Sequence, residues 1–161
     1  MDEYVLARVL HVLGVVLWIG GVAMVTSVIL PVITQTQSAY DRVEIFRHIE
    51  KRFAWQARFT TLLVGLSGFY MVHILDAWNR FAELRYWWMH AMVLVWGVFT
   101  LLLFILEPLV FRRQVKAHAQ RDPEAALARM RRVHWVLLSV SLITIAGAVA
   151  GSHGWVLSWE W

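Results

Sequence analysis

Long apolar runs, each closed by charged or turn-forming residues, dominate the pattern of this chain. Val5 to Ile33 is apolar apart from Arg8 and His11 near its start, and it ends at Pro31 and the polar pair Thr34-Gln35. A second run covers 59–75 and is closed by Asp76 and Asn79; a third covers 86–111 and a fourth 133–159. A helix crosses the hydrocarbon core with about 20 residues, and each run approaches or exceeds that length. Backbone groups in lipid must be satisfied within the segment, so the runs are predicted to be helices. The expected fold is all-α: a single transmembrane domain over 1–161, folded as an integral membrane up-down four-helix bundle.

The polar stretches between the runs set an orientation. Residues 35–58 carry Arg42, Arg47, Lys51, Arg52 and Arg58, and residues 112–132 carry seven more arginines and lysines. The remaining side has only Arg8, Arg80 and Arg85. Basic residues mark cytoplasmic loops, which puts both termini on the outer, periplasmic side of a bacterial inner membrane. Trp78, Trp87, Trp88, Trp155, Trp159 and Trp161 are then expected in an outer aromatic belt, with Trp55 and Trp135 at the inner face. Within the first cytoplasmic loop, Val43, Ile45, Phe46, Ile49 and Phe53 form one stripe of a predicted amphipathic interfacial helix over 41–53. Asp122-Pro123 reads as an N-cap and first helical residue leading into the fourth span.

Composition narrows the chemistry. The chain is 60% hydrophobic and only 16% charged, where a soluble domain carries about a quarter charged residues. It has no cysteine, which removes disulfides, thiolate metal sites and thiol catalysis. The net charge of +4 belongs to membrane topology rather than to nucleic acid. The first run is too long for a cleavable signal core and is expected to remain as a span.

Histidines carry the candidate chemistry, because ionisable groups inside a membrane are costly and functional by default. His11, His73, His90 and His153 fall one to a helix, all towards the predicted outer face. Imidazole binds haem iron, copper or zinc. Gly14 and Trp18, three and seven residues after His11, lie on its face, and Gly65, Gly68, Gly147 and Gly151 offer clearance for a flat ring system. The same glycines also suit plain helix packing. Arg8 and Arg85 are placed to meet propionates. Met71, Met89 and Met92 keep copper open as the alternative.

The segment from Leu10 to Gly21, with His11 followed by Trp18-Ile19-Gly20-Gly21, resembles the first helix of the copper-resistance D (CopD) superfamily, which includes the HemJ-type protoporphyrinogen oxidases. Trp88-Met89-His90-Ala91-Met92 is similar to the third-helix motif Trp-Leu-His-Val-Lys of the latter. The resemblance implies a small four-helix membrane protein binding b-type haem, with His11 and His90 as ligands. Met92 stands where those enzymes have lysine, so the resemblance stops short of porphyrin oxidation.

The expectation is therefore a haem b redox or electron-transfer protein, a haem-dependent membrane oxidoreductase in the outer half of the bilayer. His11 with His90 would hold one haem, and His73 with His153 a second or the surroundings of the first. The expected partners are lipid, a quinone or periplasmic redox protein, and further copies of the chain. Copper transport and a cofactor-free subunit of a membrane complex are the alternatives.

Overall fold

In the computed structural model, residues 3–35, 39–111 and 122–155 are described. His118, Trp159, Trp161 and most of the second basic loop lie outside these residues, as does the end of the fourth predicted span. The described chain is four long helices, each long and apolar enough to cross a membrane. α1 runs over Glu3–Ile33, α2 over Ala39–Ile74, α3 over Trp87–Leu101 with a continuation to Phe111, and α4 over Pro123–Ser152.

Two stretches depart from α geometry, and each has a proline at its origin. α1 widens into a π-helical turn at Val25–Ile29, just before Pro31. α3 continues as a π-helix over Leu102–Phe111, which contains Pro108. Proline has no N–H to return to the preceding turn, and inside lipid the ladder adjusts locally rather than breaking. Pro31 thus does not end the first helix.

α2 differs from expectation in extent. The predicted interfacial helix over 41–53 and the predicted span over 59–75 are one unbroken helix of 36 residues. At 1.5 Å per residue it is about 54 Å long, well beyond a hydrocarbon core of about 30 Å. Its amphipathic stripe is turned partly to protein, with Ile45 left exposed. Val43 and Phe46 are buried, and Phe46 packs with Val25, Leu30 and Ile33 of α1 and with Leu127 and Met130 of α4. The stripe found a protein surface because α1 and α4 extend as far as α2 does.

Neighbouring helices run antiparallel. Tyr70 near the end of α2 donates to the Glu3 carboxylate at the start of α1, 2.9 Å away. Trp87 and Trp88 at the start of α3 dock on Gly147 and Gly151 near the end of α4. A central core joins Trp18, Ile19 and Val22 of α1 to Ala57 and Val64 of α2, Phe99 of α3 and Leu138 of α4. Trp18 meets Phe99 edge to face at 4.8 Å between centroids.

Glycine and tryptophan interlock through this bundle. A methyl group on Gly65 would overlap the Trp96 ring, one on Gly147 the Trp87 ring, and one on Gly151 the Trp88 ring. The indoles of Trp87 and Trp88 thus serve as packing knobs, with Trp88 buried. Trp55, Trp78, Trp135 and Trp155 are exposed, as belt residues would be.

Two caps organise the helix ends. The Asp122 carboxylate accepts from the Ala125 N–H at 3.0 Å, which satisfies one free donor at the start of α4. α2 is closed by Asp76 in the left-handed region at φ 45°, and the Ala77 N–H returns to the Val72 carbonyl. Two 3-10 turns, Trp78–Ala82 and Leu84–Tyr86, then lead into α3.

Candidate functional site

The four candidate histidines share one end of the bundle but not one cluster. His73 is exposed in the last turn of α2, and His153 caps α4 with Nδ1 2.8 Å from the Val149 carbonyl. His90 anchors the connection before α3. Its Nε2 lies 2.9 Å from the Phe81 carbonyl, its Nδ1 3.3 Å from the Tyr86 carbonyl, and its ring meets Phe81 edge to face. Among the described residues, no three His, Cys, Asp or Glu side chains come together to hold a metal ion.

His11 stands apart in its partners. Its Nδ1 is 3.0 Å from the Val64 carbonyl and 3.2 Å from Ser67 Oγ, both on α2. The ring can approach because residue 68 is glycine: a Cβ there would sit 3.1 Å from His11 Cε1. His48, His90, His134 and His153 instead turn Nδ1 to the carbonyl four residues back. A carbonyl only accepts, so Nδ1 of His11 carries the ring proton and Nε2 keeps its lone pair. Ser67 donates its own hydroxyl proton to Leu63 at 2.6 Å, and its oxygen is free to accept from His11.

The other predicted site residues are placed as follows. Gly14 sits against Val64 and brings α1 close to α2. Trp18 lies in the central core, with its indole N–H buried and without a hydrogen-bond partner. Arg8 is exposed, one turn before His11. Arg85 is held by Glu83 at 2.5 Å and stacks its guanidinium over Tyr86. Of the clearances offered by glycine, those at 65, 147 and 151 are filled by indole rings.

A second charged site, absent from the predicted set, lies towards the other end. The Arg58 guanidinium pairs with the Glu107 carboxylate and also donates through Nε to the Leu103 carbonyl at 3.0 Å. Glu50 is within electrostatic reach of both Glu107 and Arg47. The signal was present in the sequence: Glu107 is the single charge in the apolar run from Tyr86 to Phe111, where an ionisable residue is functional by default. Arg58 was hidden because it reads as part of a basic loop, whereas it sits in mid-helix.

No family model, curated protein or solved structure matches this chain.

Proposed function

We propose that the chain is a b-type haem redox protein of the bacterial inner membrane, in which His11 would hold the haem iron, with both termini on the outer face. The observation that carries this reading is that His11 Nδ1 is held by Val64 and Ser67 of the neighbouring helix α2. Metal-ligating histidines as a rule donate their other ring N–H to a carbonyl or carboxylate, which aims the ring and raises its basicity. The Val64 carbonyl and Ser67 hydroxyl do this for His11 and leave Nε2 able to bind a metal.

The residues fit one imidazole ligand directly. His90 would supply a second imidazole once its Nε2 gave up the Phe81 carbonyl. His73 and His153, at the rim, belong to the surroundings rather than to a second haem site. Exposed Arg8 is the propionate partner, since Arg85 already holds Glu83. Bound haem b supplies a one-electron iron couple, tuned by its ligands and burial. The protein's part is to orient His11, exclude water with the Trp18–Phe99 core, and present the outer rim to a quinone or periplasmic redox partner.

The test is the reduced-minus-oxidised spectrum of purified protein with haem quantified as its pyridine complex. Stoichiometric haem b is expected, and His11→Ala is expected to lose the Soret band while keeping its helical circular dichroism. A colourless wild-type protein, or an unchanged spectrum in the His11 variant, would end this reading. Stoichiometric copper without a Soret band would turn it to copper handling.

A further inference from the structure

At the end of the bundle away from His11, the helices continue past the apolar span and leave an opening between them. α4 carries no Asp, Glu, Lys or Arg over Val133–Ser152. Those twenty residues rise about 30 Å, the thickness of the hydrocarbon core. Arg131 and Arg132 come directly before this stretch, which puts them at the membrane surface. α1 and α2 reach this level too, because Phe46 packs with Leu30 and Ile33 and with Leu127 and Met130.

Here a cavity of about 90 Å³ lies between the end of α1 and the start of α4. Leu30 and Leu127 line it and are buried, so its floor is apolar. Thr34, Glu124, Ala128 and Arg131 complete the lining, and of these Glu124, Ala128 and Arg131 are exposed at its mouth.

The charges around the mouth are unequal. Arg42 of α2 reaches across to the Glu124 carboxylate at 3.1 Å. Among the described residues, Arg131 makes no hydrogen bond or ion pair. Two guanidinium groups against one carboxylate leave a net positive charge, and Arg131 offers a fork of donors suited to a phosphate. Thr34 already donates its hydroxyl proton to the Pro31 carbonyl, so it adds an acceptor to the cavity. A carboxylate likewise only accepts, so a ligand lying against Glu124 and Thr34 must bring donors of its own.

The same face of α4 leads from the cavity into the bilayer. Glu124, Ala128, Arg131 and Trp135 follow at intervals of four, three and four residues, within about 60° of one another around the helix. Trp135 is exposed. Arg131 therefore stands between a small cavity on the aqueous side and an apolar ring on the membrane side, where a phospholipid carries its phosphate.

We propose that this opening holds the headgroup of an anionic, hydroxyl-bearing phospholipid of the phosphatidylglycerol type. Its phosphate meets Arg131, its hydroxyls donate towards Thr34 and Glu124, and its acyl chains run past Trp135. A choline headgroup is zwitterionic and has no donor for either acceptor. The site needs only that the helices cross a membrane, so it stands whether or not the chain binds haem.

The wild-type protein in neutral detergent is titrated with dioleoylphosphatidylglycerol or dioleoylphosphatidylcholine, and bound lipid is counted by native mass spectrometry. One phosphatidylglycerol per chain is expected, held about tenfold more tightly than phosphatidylcholine, as a charge-assisted hydrogen bond would provide. Arg131→Gln is expected to remove that preference. Ala128→Leu, which fills the cavity and leaves the charge alone, is expected to weaken binding as well. Arg132→Gln deletes an equal charge that does not line the cavity, and should retain the lipid. Each variant is checked by circular dichroism and gel filtration first. Equal retention of the two lipids by the wild-type protein overturns the proposal. Equal losses in Arg131→Gln and Arg132→Gln also overturn it, by reducing the site to a diffuse basic surface. Displacement of the lipid by millimolar inorganic phosphate would do the same, by making the opening a site for free anions.

Discussion

Arg58 donates to the carbonyl oxygen of Leu103, which is the acceptor that Pro108 leaves without its partner. In π-helical geometry each carbonyl bonds the N–H five residues on, and five residues after Leu103 stands a proline with no N–H. The guanidinium supplies the missing donor and, with its other arm, holds Glu107 one turn further along. One side chain of α2 therefore completes the backbone of α3 and neutralises its only charge.

This arrangement makes the effect of Arg58 substitutions depend on Glu107. Arg58→Met leaves a carboxylate and a carbonyl unpaired, and is expected to cost about 2–4 kcal/mol, less than a wholly buried pair because both side chains keep some exposure. The double variant Arg58→Met, Glu107→Met removes the stranded charge and is expected to recover most of that loss. Thermal unfolding in detergent, followed as a double-mutant cycle, measures both. A double variant no better than the sum of the singles would remove the ion pair as the cause.

The glycines divide into two groups with opposite predictions. Ala at Gly65, Gly147 or Gly151 drives a methyl into an indole ring, and overpacking of this kind costs about 1–3 kcal/mol. A methyl added at Gly20 or Gly97 would meet nothing within 4 Å, so alanine there is expected to stabilise the helix by up to about 1 kcal/mol. Melting temperatures of the five single variants should separate into these two sets.

His90→Ala tests the anchor of the connection into α3. Without Nε2 on the Phe81 carbonyl, the turns over 78–86 lose a tie worth about 1 kcal/mol. Faster proteolytic cleavage within 78–86 is expected, with the rest of the bundle still protected. If His90 also binds haem, the spectrum of the same variant changes from that of a two-imidazole complex.

Asp76 closes α2 in a backbone conformation that glycine adopts without cost. Asp76→Gly is expected to raise stability by about 0.5–1 kcal/mol, read as a higher melting temperature. An unchanged or lower value would mean that the carboxylate itself contributes at this turn.

The helices were legible because lipid imposes a length and an apolar composition that no other structure satisfies. The α4 cap was legible for a local reason: Asp122 and Pro123 act through the first turn alone. His11 could be singled out as an intramembrane imidazole, yet not its partners, since Val64 and Ser67 are more than fifty residues away. Glycine clearances were visible too, but not that indoles would fill three of them.

What the chain determined by itself was the number of long apolar helices and where prolines would disturb them, because hydrophobic length and a missing N–H are properties of the segment. Tertiary structure decided the rest. It turned the stripe around Phe46 inward, placed Arg58 on Leu103 and Glu107, and gave His11 its proton acceptor. Each of those outcomes depends on which face of one helix meets another, and that is settled only when the helices pack.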